Sequence, residues 1–159
     1  MNEQELHHLL EKFQQGELGL DDVYKKIKMF PYEDLGFAKL DHHRGLRDNF
    51  PEVIFCPGKS LDQIMQIFIH LAEQSDNVLA TRADKAVFEI VKERIPQAQY
   101  NDVAGLLYLH RSSPPSPGQV AVVSAGTADL PVAEEAALTL EIMGTKVERI
   151  YDAGVAGIH

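Results

Sequence analysis

The sequence predicts an α/β protein in two unequal parts, a small α/β domain with a helical start over residues 1–110 and a segment over 119–159 that opens a doubly wound parallel sheet. Three observations carry this. From Pro51 onward, short β-branched and aromatic runs alternate with amphipathic helical stretches. At 111–118 the run Arg111-Ser112-Ser113-Pro114-Pro115-Ser116-Pro117-Gly118 sets serines among three prolines, which suits an extended linker and neither helix nor sheet. Beyond it an apolar strand, a small-residue loop, a helix and a second strand follow in order.

Each element has its own signal. Leu6, Leu9, Leu10 and Phe13 recur at i, i+3, i+4 and i+7, the stripe of a helix that Gly16 ends. Asp21 has the chemistry of an N-cap for a second helix bearing Val23, Tyr24 and Ile27, which Pro31 halts. A short strand is expected at 37–40, and Val53-Ile54-Phe55-Cys56 reads as another, closed by Pro57-Gly58. Ser60 with Gln63 forms a capping box ahead of Leu61, Ile64, Met65, Phe68 and Ile69, a helix stripe destined for the core. Val78 to Thr81 is a strand, and Asp84 to Glu93 a helix. Leu106 to Leu109 is a further strand. In the second part, Gln119 to Val123 has the continuous apolar character of a buried parallel strand. Pro131 belongs in the first turn of a helix reaching about Met143, with Ala133, Ala136, Ala137, Leu140 and Met143 on its packing side. Lys146 to Tyr151 is the second strand. Two parallel strands with one helix leave apolar surface uncovered, so the expectation is a chain that stops short of a complete domain.

Composition narrows the partners. The 159 residues are 45% hydrophobic and 25% charged, as in folded proteins, and 24 acidic against 15 basic residues give a net charge of -9. Lys25, Lys26 and Lys28 share their segment with Asp21 and Asp22, so no basic face for nucleic acid stands out. No apolar run approaches a membrane span, and the single Cys56 excludes an internal disulfide or a cysteine-rich metal centre. These features fit a cytoplasmic protein without a membrane partner.

The loop Ser124-Ala125-Gly126-Thr127-Ala128-Asp129 stands between the carboxyl end of a strand and a helix start, where N–H groups favour phosphate. Ser124 and Thr127 offer hydroxyls there. Gly126 either permits close backbone approach or makes a tight turn, and Asp129 either accepts from a ribose or caps the helix. The motif is neither GxGxxG nor a Walker loop. Gly154-Val155-Ala156-Gly157-Ile158-His159 falls at the same sheet edge, with Ala156 and Gly157 small enough to admit a substrate and His159 either a proton carrier or a frayed end. Arg44 and Arg47, three apart, suit an anion or an ion-pair network with Asp41, Asp48 and Glu52. His42 and His43 are adjacent and point apart, which makes them a poor metal pair. Lys59, before a helix start, is either an anion contact or an exposed turn lysine, and Thr81 and Arg82 are further candidates for an anion. Cys56, inside an apolar strand, reads as a buried small residue.

The phrases Val122-Val123-Ser124-Ala125-Gly126-Thr127-Ala128-Asp129-Leu130-Pro131-Val132-Ala133-Glu134-Glu135-Ala136 and Asp152-Ala153-Gly154-Val155-Ala156-Gly157-Ile158-His159 resemble the family of the phosphoribosyl-aminoimidazole carboxylase catalytic subunit, and within it the LarB branch. Asp41 through Arg47, Pro51 through Phe55 and Gly58-Lys59-Ser60 share that resemblance. It implies a PurE-like, flavodoxin-like fold and an enzyme of LarB type. The implied reaction carboxylates the pyridinium ring of nicotinic acid adenine dinucleotide with CO2 or bicarbonate and cleaves its phosphoanhydride to AMP, within nickel-pincer cofactor biosynthesis. Ser124, Gly126, Thr127 and Asp129 would hold the nucleotide, and His159 with Ala156 and Gly157 would form the histidine loop. Mg2+ could accompany the phosphates, although no carboxylate cluster is dedicated to it. Octamers are implied for the full-length parent. The cysteine of the LarB branch has no counterpart, because Cys56 lies in the wrong part of the chain. The expectation is therefore that this chain is inactive alone. An N5-carboxyaminoimidazole ribonucleotide mutase and a non-catalytic nucleotide-binding or regulatory module are the alternatives.

Overall fold

A computed structural model of the chain describes residues 3–28, 33–40, 52–112 and 118–154. Helices α1 (Glu3–Gln14) and α2 (Leu20–Lys28) form the opening hairpin. Asp21 does not cap α2. The helix begins at Leu20, the Gly19 carbonyl accepts from Asp22 and Val23 N–H, and Asp21 and Asp22 stand in the first turn, where carboxylates interact favourably with the positive end of the helix dipole. Strands β1 (Glu33–Asp34) and β2 (Lys39–Leu40) pair antiparallel across a turn.

The main sheet contains β3 (Val53–Phe55), β4 (Asn77–Thr81), β5 (Gln99–Asn101) and β6 (Leu106–His110), in the order β3-β4-β6-β5. Helix α3 (Leu61–Gln74) carries the chain from β3 to the parallel β4. It starts as the capping box requires, with Gln63 N–H donating to Ser60 Oγ at 3.2 Å and Ser60 N–H to Gln63 Oε1 at 2.9 Å. Helix α4 (Lys85–Arg94) is capped by Asp84, whose carboxylate accepts from Val87 N–H at 2.9 Å. Strand β5 has no strong sequence signal. It exists because a turn, held by Asn101 Oδ1 accepting from Ala104 N–H, folds it antiparallel onto β6.

Alternation along the strands divides two cores. Ile54, Val78, Ala80, Leu107 and Leu109 face α3 and α4, joining Phe68, Leu71, Val87 and Val91. Val53, Leu79, Leu106 and Tyr108 face the other way. There they meet Leu138 and Ile142 of α5 (Leu130–Ile142), a helix from beyond the proline-rich stretch. Asn77 strengthens the contact, its Nδ2 donating to the Ser112 and Ile142 carbonyls at 2.8 and 3.3 Å.

Helix α5 also connects β7 (Gln119–Val123) to the parallel β8 (Lys146–Ile150), in register from Gln119 opposite Lys146 to Val123 opposite Ile150. This strand–helix–strand unit is the one expected. Its burial differs, since Val120, Val123 and Ile150 are 40%, 61% and 41% exposed. One helix covers one face of two strands, so their apolar character is not matched by enclosure among the described residues. On α5, Ala133 and Ala137 are buried as expected, whereas Ala136 is exposed.

Candidate functional site at the carboxyl edge of the parallel pair

The loop after β7 and the loop after β8 lie against each other. Ser124 N–H donates to the Ile150 carbonyl at 3.1 Å, and the Ser124 carbonyl accepts from Ala153 N–H at 3.0 Å, so the ladder runs past the strand ends. Gly154 then presses on the first loop: a Cβ there would stand 2.6 Å from the Ala125 carbonyl oxygen. Its smallness serves loop packing.

Ser124 is the buried polar residue of this edge, at 8% exposure, and its Oγ has no hydrogen-bond partner among the described residues. An enclosed, unmatched hydroxyl costs about 1–3 kcal/mol. Gly126 has an extended backbone, and a Cβ at that position would meet only the Asp129 carboxylate, at 3.9 Å. No local strain demands glycine there. Thr127, exposed, opens a single 3-10 turn (Thr127–Asp129) that leads into α5, with Pro131 in the first helical turn. Asp129 makes no side-chain cap to α5. Its Oδ2 instead accepts from Gly126 N–H at 3.2 Å, which holds the loop closed.

A second group gathers behind these loops. Arg149 on β8 donates to Glu134 at 3.2 Å and to both oxygens of Glu141, one at 2.8 Å. Its hydrogen bonds hold the Glu141 carboxyl below its ordinary range, and Glu141 in turn raises the guanidinium. Tyr151 Oη is enclosed beside Glu134 and Arg149. Burial first and then the Glu134 carboxylate raise its pKa. Sequence reasoning passed over this group, although Glu134 and Glu141 are two helical turns apart and so share one face of α5.

The other sequence candidates are engaged elsewhere. Lys59 Nζ donates to the Phe55 carbonyl at 2.8 Å, and Arg82 Nε to Glu135 Oε2 of α5 at 2.9 Å. Cys56 is buried, and burial pushes its thiol up to about 11, so it is protonated at neutral pH and no nucleophile. A shallow depression lined by Gln97, Gln99, His110 and Arg111 shares no residue with the loops, and Arg111 there is bonded to Gln97 and the Ala72 carbonyl. Arg44, Arg47, Asp41, His42, His43, Ala156, Gly157 and His159 lie outside the described residues. Among the described residues no three His, Cys, Asp or Glu side chains are grouped to hold a metal ion, and no helix is long and apolar enough to cross a membrane.

A mixed α/β fold with a parallel strand pair joined by a helix defines the class. The family model for the LarB/PurE-like N-terminal domain matches residues 32–111, and the chain belongs to that family. An uncharacterized protein of Methanocaldococcus jannaschii is 38% identical over 97% of this chain. The chain spans 63% of that relative's length.

Proposed function

We propose that the edge formed by Ser124, Gly126, Thr127 and Asp129 binds the phosphate and ribose of a nucleotide, and that the protein acts in carboxylation of the pyridinium ring of nicotinic acid adenine dinucleotide. CO2 or bicarbonate is the co-substrate, the phosphoanhydride is cleaved to AMP, and the product feeds nickel-pincer cofactor assembly. The observation that carries the reading is Ser124 Oγ, buried and unpartnered between a parallel strand end and the turn that starts α5. Because this oxygen is enclosed, a ligand oxygen becomes its partner only when the two loops part. Gly126, whose N–H is held by Asp129 Oδ2, carries no side chain that would block a ligand's approach. Asp129 is exposed, and a ribose hydroxyl can donate to it. Ala156, Gly157 and His159 belong to the same proposal as the histidine loop, with His159 moving a proton, and Arg44 and Arg47 as anion contacts. Mg2+ bound to the phosphates and assembly of the longer protein into octamers belong to it too.

The family description joins two branches, so an aminoimidazole ribonucleotide is the second substrate class. The test incubates the purified chain with bicarbonate and each nucleotide, reads carboxylated mononucleotide and AMP by mass spectrometry, and measures binding by calorimetry. Carboxylated pyridinium mononucleotide with AMP means that residues 1–159 suffice. Binding that Ser124→Ala weakens, without turnover, supports the nucleotide site alone. A preference for the aminoimidazole ribonucleotide selects the other branch, and failure to bind either nucleotide would falsify the assignment.

A further inference from the structure

The opening hairpin leaves most of its apolar surface uncovered, and this observation is independent of the nucleotide edge. Both helices carry one spacing: Leu6, Leu9, Leu10 and Phe13 on α1, and Leu20, Val23, Tyr24 and Ile27 on α2, each at i, i+3, i+4 and i+7. The helices touch each other, yet only Leu9 and Val23, at 5% exposure each, are buried. Leu10, Phe13, Leu20, Tyr24 and Ile27 remain 39% to 67% exposed. Helices of 12 and 9 residues are marginal alone, because isolated helices need roughly 12–15 residues to persist. Two buried side chains do not offset an ordering cost of about 1–2 kcal/mol per residue.

We propose that this face is closed by the hairpin of a second copy of the chain, giving an isologous four-helix bundle. Because α1 and α2 share one stripe spacing, a two-fold axis lays α1 of one copy on α2 of the other with both stripes enclosed. The area is sufficient. At roughly 200 Å² per large side chain, the exposed fractions leave about 500 Å² of apolar surface per copy, or about 1,000 Å² for the pair, the threshold for a specific interface.

Sedimentation equilibrium of the full chain over a concentration series tests this, together with hydrogen exchange of the wild type at both ends of the series. The expected result is a monomer–dimer equilibrium whose Kd rises about tenfold or more in Leu20→Glu/Tyr24→Glu, as for a lost interface anchor. Val120→Glu, on the exposed strand β7, leaves that Kd unchanged. Wild-type amides of residues 6–27 gain protection as the dimer forms, a readout that does not depend on a variant folding. A monomer at every concentration overturns the proposal. So does a dimer broken by Val120→Glu and not by the hairpin variant, and so does protection of residues 6–27 that is independent of concentration.

Discussion

At Ser124 the protein bonds both backbone groups and leaves the side-chain oxygen enclosed without a partner among the described residues. A residue chosen for stability would be alanine, which fills the same space and strands no hydroxyl. Ser124→Ala is therefore expected to leave Tm unchanged or raise it, by up to the roughly 1–3 kcal/mol that an unsatisfied buried group costs, while nucleotide affinity falls. Thermal unfolding of the two proteins decides it. A variant less stable than wild type by more than about 1 kcal/mol would mean that the hydroxyl has a partner inside the protein. Cys56 makes the contrasting case: it is buried among apolar neighbours, and its thiol is silenced by that burial, which is a packing role.

Among the elements, α5 and β8 are joined by charge. Arg149 reaches back from β8 to Glu134 and Glu141, two turns apart on the helix, and so fixes the strand against α5 behind the loops. The pairing lowers the Glu141 pKa from its ordinary value of 4.5. For a carboxylate whose folded pKa is depressed, stability is fully present above the unfolded value and is lost as pH falls through the folded one, because the unfolded chain takes up the proton first. Wild type is expected to exceed Glu141→Gln in Tm at neutral pH, and the difference to shrink as pH drops below 4.5. The group is partly exposed, so solvent screening keeps the effect small. A Tm difference that is constant from neutral pH to well below 4.5 would show that the pair contributes no linkage.

For the whole molecule, the consequential contact is the one that α5 makes with the main sheet. Ile142 is 1% exposed and stands among Leu79, Ala104 and Leu106, so the helix that carries the candidate loop also covers the second face of β4 and β6. Ile142→Ala removes a methyl-rich side chain from an enclosed site and is expected to cost about 2–5 kcal/mol. Denaturant unfolding followed by a probe in residues 52–112 should register that loss, since those residues lose their cover. A loss seen only by probes in residues 118–154 would mean that the contact does not couple the two segments. Leu138 and the Arg82–Glu135 pair border the same contact, one from the apolar side and one from the rim.

Local chemistry determined a good part of this protein by itself. The Ser60–Gln63 capping box, the helix that follows Asp84, the α3 stripe, the strands around Val78 and Leu107 and the β7–α5–β8 unit all follow from spacings within a few residues, and they persist in the fold because propensity and periodicity agree there. The loop of Ser124 was legible for the same reason: a small-residue run between an apolar strand and a helix start has one place to be. What the tertiary structure alone decided is nonlocal. The hairpin of β5 with β6, the order β3-β4-β6-β5 and the cover that α5 gives to the main sheet depend on pairings between residues far apart in the chain. So does the state of Ser124. Its sequence announces a hydroxyl near a ligand edge, but whether that hydroxyl is solvated, bonded or buried and unmatched depends on β8 and its loop closing over it, and no local pattern records which neighbours the fold will bring.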